Sequence, residues 1–272
     1  MKVTIKDFVP EHTFDCGQCF RWKKQSDGSY IGVAGGQAVR IKADNDTVTI
    51  DGITEKDYEG FWKNYLDADR DYSKIKKEIS TNDIMKNAIS FGGGIRILRQ
   101  EFFETLISFI ISQRSSIPKI KSSVEKMCSL WGNEIFFEGK SYYTFPTPEA
   151  IASLTEDDLR GVGVGYRAPY ILKAAKAVLN GNIKEEDLQN LDTASARECL
   201  LTLYGVGDKV CDCVLLFSLG KYDLFPADVW IKRVMEESFN TKDAKTIGES
   251  LFGKYSGFAQ QYLFYWRKFN NV

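Results

Sequence analysis

The chain has 272 residues, 43% of them hydrophobic and 27% charged, which describes a globular protein able to bury a core without disulfide or metal staples and long enough for one large or two modest domains. Its formal net charge is −1, from 36 basic and 37 acidic side chains. A uniformly basic nucleic-acid coat is therefore excluded, and any phosphate-facing surface has to be local.

The only histidine is His12, which argues against Ser-His triads and His-rich metal centres. Among the cysteines, Cys16-x-x-Cys19 has zinc-type spacing, but no second close pair or histidine completes it. No N-terminal signal peptide precedes the first strand-like segment, and no apolar run reaches the ~20 residues of a membrane span. A cytosolic location (nucleoid-associated in a prokaryote) and free thiols are expected.

In chain order, short β-prone runs at 18–23, 29–33, 37–41 and 47–50 are separated by turn signals at Asp27-Gly28, Gly35-Gly36 and Asn45-Asp46, and predict an antiparallel sheet. Helical signals follow. Thr54 with Asp57 forms a capping pattern, and Tyr58, Phe61, Trp62 and Tyr65 then share one helical face. Phe102, Phe103, Leu106, Ile107 and Ile110 predict a buried central helix. Ile117, Ile120, Val124, Met127, Cys128 and Trp131 form an amphipathic stripe. Thr147-Pro148-Glu149 opens another helix. Further helices are predicted from about 166 to 180, where Gly181 ends the run, and from Asp192 or Thr193 onward. The expected fold is α+β: an N-terminal antiparallel β-sheet domain with a flanking helix over 1–85, then a helical body with a helix-hairpin-helix over 86–272.

The most informative stretch is 199–217. A helix ends, Gly205-Val206-Gly207 makes a tight turn, and a new helix starts near Asp208. The glycines allow positive φ and close backbone approach, and the N–H groups and positive dipole end of the new helix suit an anion such as a DNA phosphate. By itself this is also what a plain helical corner looks like. Lys209 adds to it. It falls in the first turn, where the dipole disfavours a positive charge and partial burial favours a neutral, nucleophilic amine; its plain alternative is a solvated surface lysine. Nineteen residues on, after Pro226, Asp228 stands where another helix begins. There it serves as a cap, and it is also placed to face Lys209.

This block resembles the helix-hairpin-helix, Gly/Pro-loop, Asp superfamily of DNA glycosylases. The resemblance implies that Lys209 attacks the sugar C1′, that Asp228 activates it and stabilises the oxocarbenium charge, and that a Schiff base then leads to strand nicking by β-elimination. No cysteine follows Cys213, so the Cys-rich iron–sulfur loop of some branches is excluded. Further segments are similar to the 8-oxoguanine DNA glycosylase/AP lyase family: Cys16-Gly-Gln-Cys-Phe-Arg-Trp22, Gly94-Ile-Arg-Ile-Leu-Arg-Gln100, Gly163-Val-Gly-Tyr-Arg-Ala168 and Ala259-Gln-Gln-Tyr-Leu-Phe264. The similarity implies that the Gly17 carbonyl accepts from N7–H of the lesion, a position where normal guanine is itself an acceptor. It also implies that Gln260 reads the Watson–Crick edge and that Phe264 and Cys213 sandwich the extruded base. Without it, Phe264 reads as core and Cys213 as an inert buried thiol.

The family pattern places Tyr166 as a wedge and Arg167 at the orphaned base, with Gly205, Val206 and Gly207 on the DNA backbone. The chain departs from it at three positions. Arg114, within Ser112-Gln-Arg-Ser-Ser116, stands where other members have the first asparagine of a triplet. Lys119 replaces an arginine. Trp230 replaces a phosphate-contacting histidine. These departures bear on the base opposite the lesion, not on the reaction. The expected partner is duplex DNA carrying oxidised guanine, bound by a monomer. No redox cofactor or catalytic metal is needed, and the hairpin carbonyls are a place for a structural cation. Two rivals make different demands. A monofunctional glycosylase for alkylated bases has no use for Lys209. A non-catalytic helix-hairpin-helix binding module needs neither Lys209 nor Asp228.

Overall fold

A computed structural model describes residues 1–270. Five antiparallel strands, β1 (Lys2–Thr4), β2 (Lys23–Lys24), β3 (Tyr30–Ala34), β4 (Gln37–Asp44) and β5 (Thr47–Asp51), form one sheet in the order β1-β5-β4-β3-β2. A two-stranded hairpin, β6 (Glu134–Phe137) and β7 (Lys140–Tyr143), is the only other sheet among the described residues. The remainder is helical, as expected, and no helix among the described residues is long and apolar enough to cross a membrane.

Two hydrophobic cores organise the molecule. The first gathers residues from Ile5 to Leu66, together with Leu98. Phe14 stacks on Trp22 with ring centres 3.9 Å apart, and the Trp22 indole donates to the Tyr65 hydroxyl at 3.0 Å. Trp22 lies so close to β3 that a Cβ at Gly32 would come within 2.4 Å of its ring. The second core holds Cys16, Phe20, the apolar faces of the helices from Tyr72 onward, and the central helix α1 (Phe102–Ser112). Eight of the eleven residues of α1 are buried.

Residues 18–22 do not form the expected strand; pairing on that segment starts only at Lys23. The reason is that side chains anchor this backbone. The fully buried Gln18 amide donates to Thr13 O (2.9 Å) and Arg96 O (2.8 Å) and accepts from Leu98 N (2.9 Å), while Gln100 Nε2 donates to the Gln18 carbonyl (2.8 Å). Phe20 then enters one core and Trp22 the other. A second adjustment concerns the aromatic face after Thr54. The Thr54–Asp57 capping box is present, but Tyr58–Trp62 is π-helical between short α-helical pieces. Similarly, Gly165–Arg167 is a 3₁₀ turn, and the α-helix expected from 166 begins at Ala168.

Helices α2 (Ile117–Trp131), α3 (Thr193–Leu201), α4 (Asp208–Phe217), α5 (Val229–Phe239), α6 (Ala244–Phe252) and α7 (Ser256–Phe269) complete the frame around the site. Asp192 caps α3 by accepting from Ser195 N at 2.8 Å. Between α3 and α4 lies the predicted hairpin. Only Gly205 uses the left-handed region (φ +86), and a Cβ there would meet the Tyr170 ring at 2.2 Å. Gly207 has φ −103: it caps α4 in an extended conformation, with open space where a side chain would stand.

Candidate active site

A cavity of about 1370 Å³ opens between the hairpin, the end of α1, the loop before α5, the Cys16–Phe20 segment and α7. That exceeds the roughly 300–1,000 Å³ typical of small-ligand pockets, so the cavity has room for a nucleotide. Lys209, Asp228, Gly17, Cys213, Gln260, Phe264, Arg114, Gly207 and Trp230 all line it. Residues distant in sequence thus share one chamber. Lys119, Tyr166, Arg167, Gly205 and Val206 lie outside its lining.

Lys209 occupies the first turn of α4, whose N-terminus has no side-chain cap. Its Nζ donates to Ser112 Oγ at 3.3 Å and sits 4.8 Å from the centre of the Phe109 ring. Asp228 caps α5, and its Oδ1 accepts from Trp230 N (3.0 Å) and Ile231 N (2.9 Å). The two side chains line the same cavity without forming an ion pair with each other. Helix capping fixes the carboxylate in place, while a neutral hydroxyl and an aromatic face hold the amine.

One helical turn after Lys209, Cys213 is buried, and burial pushes its thiol up to about 11, with the charge of Lys209 pulling the other way. It is therefore an uncharged, polarisable surface at neutral pH. On the segment from the first core, Gly17 has φ +82, and a Cβ there would stand 3.0 Å from Phe264 Cε1. The glycine lets backbone and ring approach this closely. Gln260 is 4% exposed, and its Oε1 accepts from Gln261 Nε2 at 2.9 Å.

At the rim, Arg167 is buried and donates through Nη1 to Val164 O (3.0 Å) and through Nη2 to Gln113 O. Its guanidinium also covers the exposed Tyr166 ring, at 4.5 Å. The Gln113 side chain donates to Gly205 O at 3.0 Å, so one hairpin carbonyl already has a protein partner. Arg114, next in sequence, is exposed and has φ +50, a conformation that favours asparagine over arginine. Lys119 is exposed on α2.

A buried ionic cluster braces this frame. Asp212 on α4 is 1% exposed and pairs with Arg197 Nε of α3 (2.6 Å) and Lys245 Nζ of α6 (2.5 Å). Arg197 also pairs with Asp208 (2.7 Å) and Lys245 with Glu249 (2.7 Å), and Glu249 accepts from Phe225 N in the loop leading to Asp228. Sequence reading alone missed Ser112, Phe109, Gln113 and this cluster. The trace available for Asp212 was a carboxylate three residues after Lys209, on the side of an otherwise apolar helix.

A helix-hairpin-helix with a lysine in the first turn of its second helix and, a loop later, a capping aspartate, both on a cavity large enough for a nucleotide, defines a base-excision DNA repair scaffold. The profile of the HhH-GPD superfamily of base excision DNA repair proteins matches residues 107–251, and that of the 8-oxoguanine DNA glycosylase N-terminal domain matches 1–106. The chain belongs to the 8-oxoguanine DNA glycosylase/AP lyase family. It is similar to a probable N-glycosylase/DNA lyase of Methanothermobacter thermautotrophicus, 34% identical over 63% of this chain and 62% of that protein; the chain thus spans about three-fifths of that curated relative. The structure of MBOgg1 in complex with a low-affinity DNA ligand superposes with a TM-score of 0.97 at 44% identity, covering 100% of this chain and 96% of that one. The Clostridium acetobutylicum 8-oxoguanine glycosylase/lyase, in complex with double-stranded DNA containing cytosine opposite 8-oxoguanine, gives a TM-score of 0.95 at 40% identity, covering 98% and 94%.

Proposed function

We propose that this chain excises 8-oxoguanine from duplex DNA as a bifunctional, monomeric glycosylase and then cleaves the abasic strand. The observation that carries the reading is that Lys209 and Asp228 line one cavity with Gly17, Cys213, Gln260 and Phe264.

The target base has to leave the stack, because its glycosidic carbon is otherwise inaccessible. The hairpin's uncapped α4 terminus takes a backbone phosphate, with Trp230 beside it on α5. Tyr166 wedges the duplex, and Arg167, released from Gln113, faces the orphaned base with Arg114 and Lys119. The extruded purine stacks between Phe264 and the Cys213 thiol. The Gly17 carbonyl accepts from N7–H and so discriminates against guanine, and the Gln260 amide meets the Watson–Crick edge.

The neutral amine of Lys209 attacks C1′. The C1′–N9 bond breaks, its electron pair leaves with the base, and the base takes up a proton. Positive charge develops on the sugar, and the fixed Asp228 carboxylate stabilises it. The attached nitrogen gives up one proton and O4′ takes one as the C1′–O4′ bond breaks, which opens the sugar ring to an iminium at C1′. Removal of a C2′ proton then expels the 3′ phosphate by β-elimination, and hydrolysis frees Lys209.

Borohydride trapping on a duplex with 8-oxoguanine opposite cytosine tests the reading. The expected result is a covalent adduct mapping to Lys209. Base release without an adduct would make the enzyme monofunctional, and binding with neither would make it a non-catalytic module.

A further inference from the structure

Besides Lys209, two lysines line the cavity: Lys232 on α5 and Lys268 on α7. Gln260, Phe264 and Lys268 follow at four-residue intervals on α7, and all three line the cavity. That interval places successive side chains on one stripe of a helix. The Nζ of Lys268 lies 5.6 Å from the centre of the Phe264 ring and 4.6 Å from that of Phe269. It has no hydrogen bond or ion pair with any described residue.

Two carboxylates act on it through space, Asp15 and Asp228, together with the Cys16 thiol and the Lys121 ammonium. Both carboxylates have other partners. Asp15 accepts from the Tyr30 hydroxyl (2.5 Å) and pairs with Lys121 (3.3 Å). Asp228 caps α5. Half-burial pushes the pKa of Lys268 below the ordinary lysine value, so its charge is poorly compensated, and an arriving anion would relieve that.

The register identifies the anion. Eight residues of helix span about 12 Å. With the Watson–Crick edge at Gln260 and the ring stacked on Phe264, Lys268 lies past the base, at the sugar–phosphate end of the extruded nucleotide. We propose that Lys268 is a substrate-binding residue whose ammonium takes a DNA phosphate flanking the extruded nucleotide while its alkyl stem backs the Phe264 wall. This rests on the reading that the cavity receives a nucleotide.

The test measures binding of the parent, Lys268→Gln and Lys268→Arg to a duplex carrying a tetrahydrofuran abasic analogue opposite cytosine, over a range of salt concentrations. One lost phosphate contact lowers the slope of log K against log salt by about 0.9. That drop is expected for Lys268→Gln, and Lys268→Arg should keep the parent slope. A neutral methylphosphonate placed at each flanking phosphate in turn should, at one of the two, reproduce the drop in the parent and add nothing in Lys268→Gln. On the parent itself, the duplex should block acetylation of Lys268, mapped by peptide mass spectrometry. An unchanged slope in Lys268→Gln, or a Lys268 equally reactive in free and bound protein, overturns the proposal. Failure of the function reading shows separately: the parent would bind with a Lys268-dependent slope yet release no base from 8-oxoguanine DNA.

Discussion

The amine of Lys209 donates to Ser112 Oγ at 3.3 Å, which joins the first turn of the hairpin helix to the last turn of the central helix. No carboxylate among the described residues pairs with that amine. A neutral hydroxyl and a ring face hold the amine in place of a salt bridge. Lys209→Gln is expected to abolish base release and borohydride-trapped adducts while lesion binding persists, because the proposed phosphate contacts of the hairpin are backbone N–H groups. Nicking of 8-oxoguanine DNA at the parent rate by this variant would point to another nucleophile.

Asp228→Asn keeps an oxygen for the N–H groups of Trp230 and Ile231, so α5 should stay capped and the fold intact. The lost charge should slow single-turnover excision by about a hundredfold or more. A rate equal to the parent's would reduce Asp228 to a cap.

Gly17→Ala places a methyl group 3.0 Å from the Phe264 ring at φ +82. A left-handed non-glycine residue costs about 1–2 kcal/mol, and the ring must also give way. Excision of 8-oxoguanine should fall more steeply than binding to a tetrahydrofuran duplex, which has no base to sandwich. Equal losses on both measurements would show that Gly17 matters only for folding.

Arg114 sits at φ +50, where asparagine is at home and arginine is not. Arg114→Asn should raise the thermal midpoint, by relief of strain of about 1 kcal/mol. Combined with Lys119→Arg, it should also sharpen the preference for cytosine opposite the lesion, since one good bidentate contact discriminates by about 1–3 kcal/mol. Single-turnover excision opposite each of the four bases decides this. A parent already strict, with a double variant no stricter, removes both positions from opposite-base selection.

Asp212→Ala leaves Arg197 and Lys245 without their shared buried carboxylate. Arg197 keeps Asp208 and Lys245 keeps Glu249, so the cost should fall below the roughly 3–5 kcal/mol of a buried charge left without any partner. The urea midpoint should drop accordingly, and a midpoint like the parent's would mean that solvent already screens the cluster.

Local chemistry was legible in the sequence. Thr54, Thr147, Asp192 and Asp228 cap the helices their neighbours suggest, because a cap needs only residues within three positions. The hairpin at Gly205 and the central helix were legible for the same reason. What escaped depends on contacts between remote segments. Residues 18–22 look β-prone, but the Gln18 side chain bonds the backbone of Thr13, Arg96 and Leu98, and its backbone carbonyl accepts from the Gln100 side chain. The β6–β7 hairpin has half-exposed strands with little alternation, and its one local trace is the turn at Glu138-Gly139, both at positive φ. Gly17, Gln260 and Phe264 entered through family resemblance, and the structure brings all three to the chamber that Lys209 lines. Ser112 and Phe109 carried no such signal, since only folding sets the end of α1 against α4.

The amide of Gln18 touches the N-terminal segment and the 96–98 stretch at once, and Gly17 is its immediate neighbour. The carbonyl proposed to tell damaged guanine from intact guanine is thus mounted on the seam between the two cores rather than on a free loop. Loosening that seam, by mutation or heat, would blur lesion recognition before the protein unfolds. On the proposed role of Gly17, fidelity and thermal robustness are coupled, and a screen for variants that excise undamaged guanine should recover substitutions around Gln18 and Arg96, which are buried and outside the cavity lining.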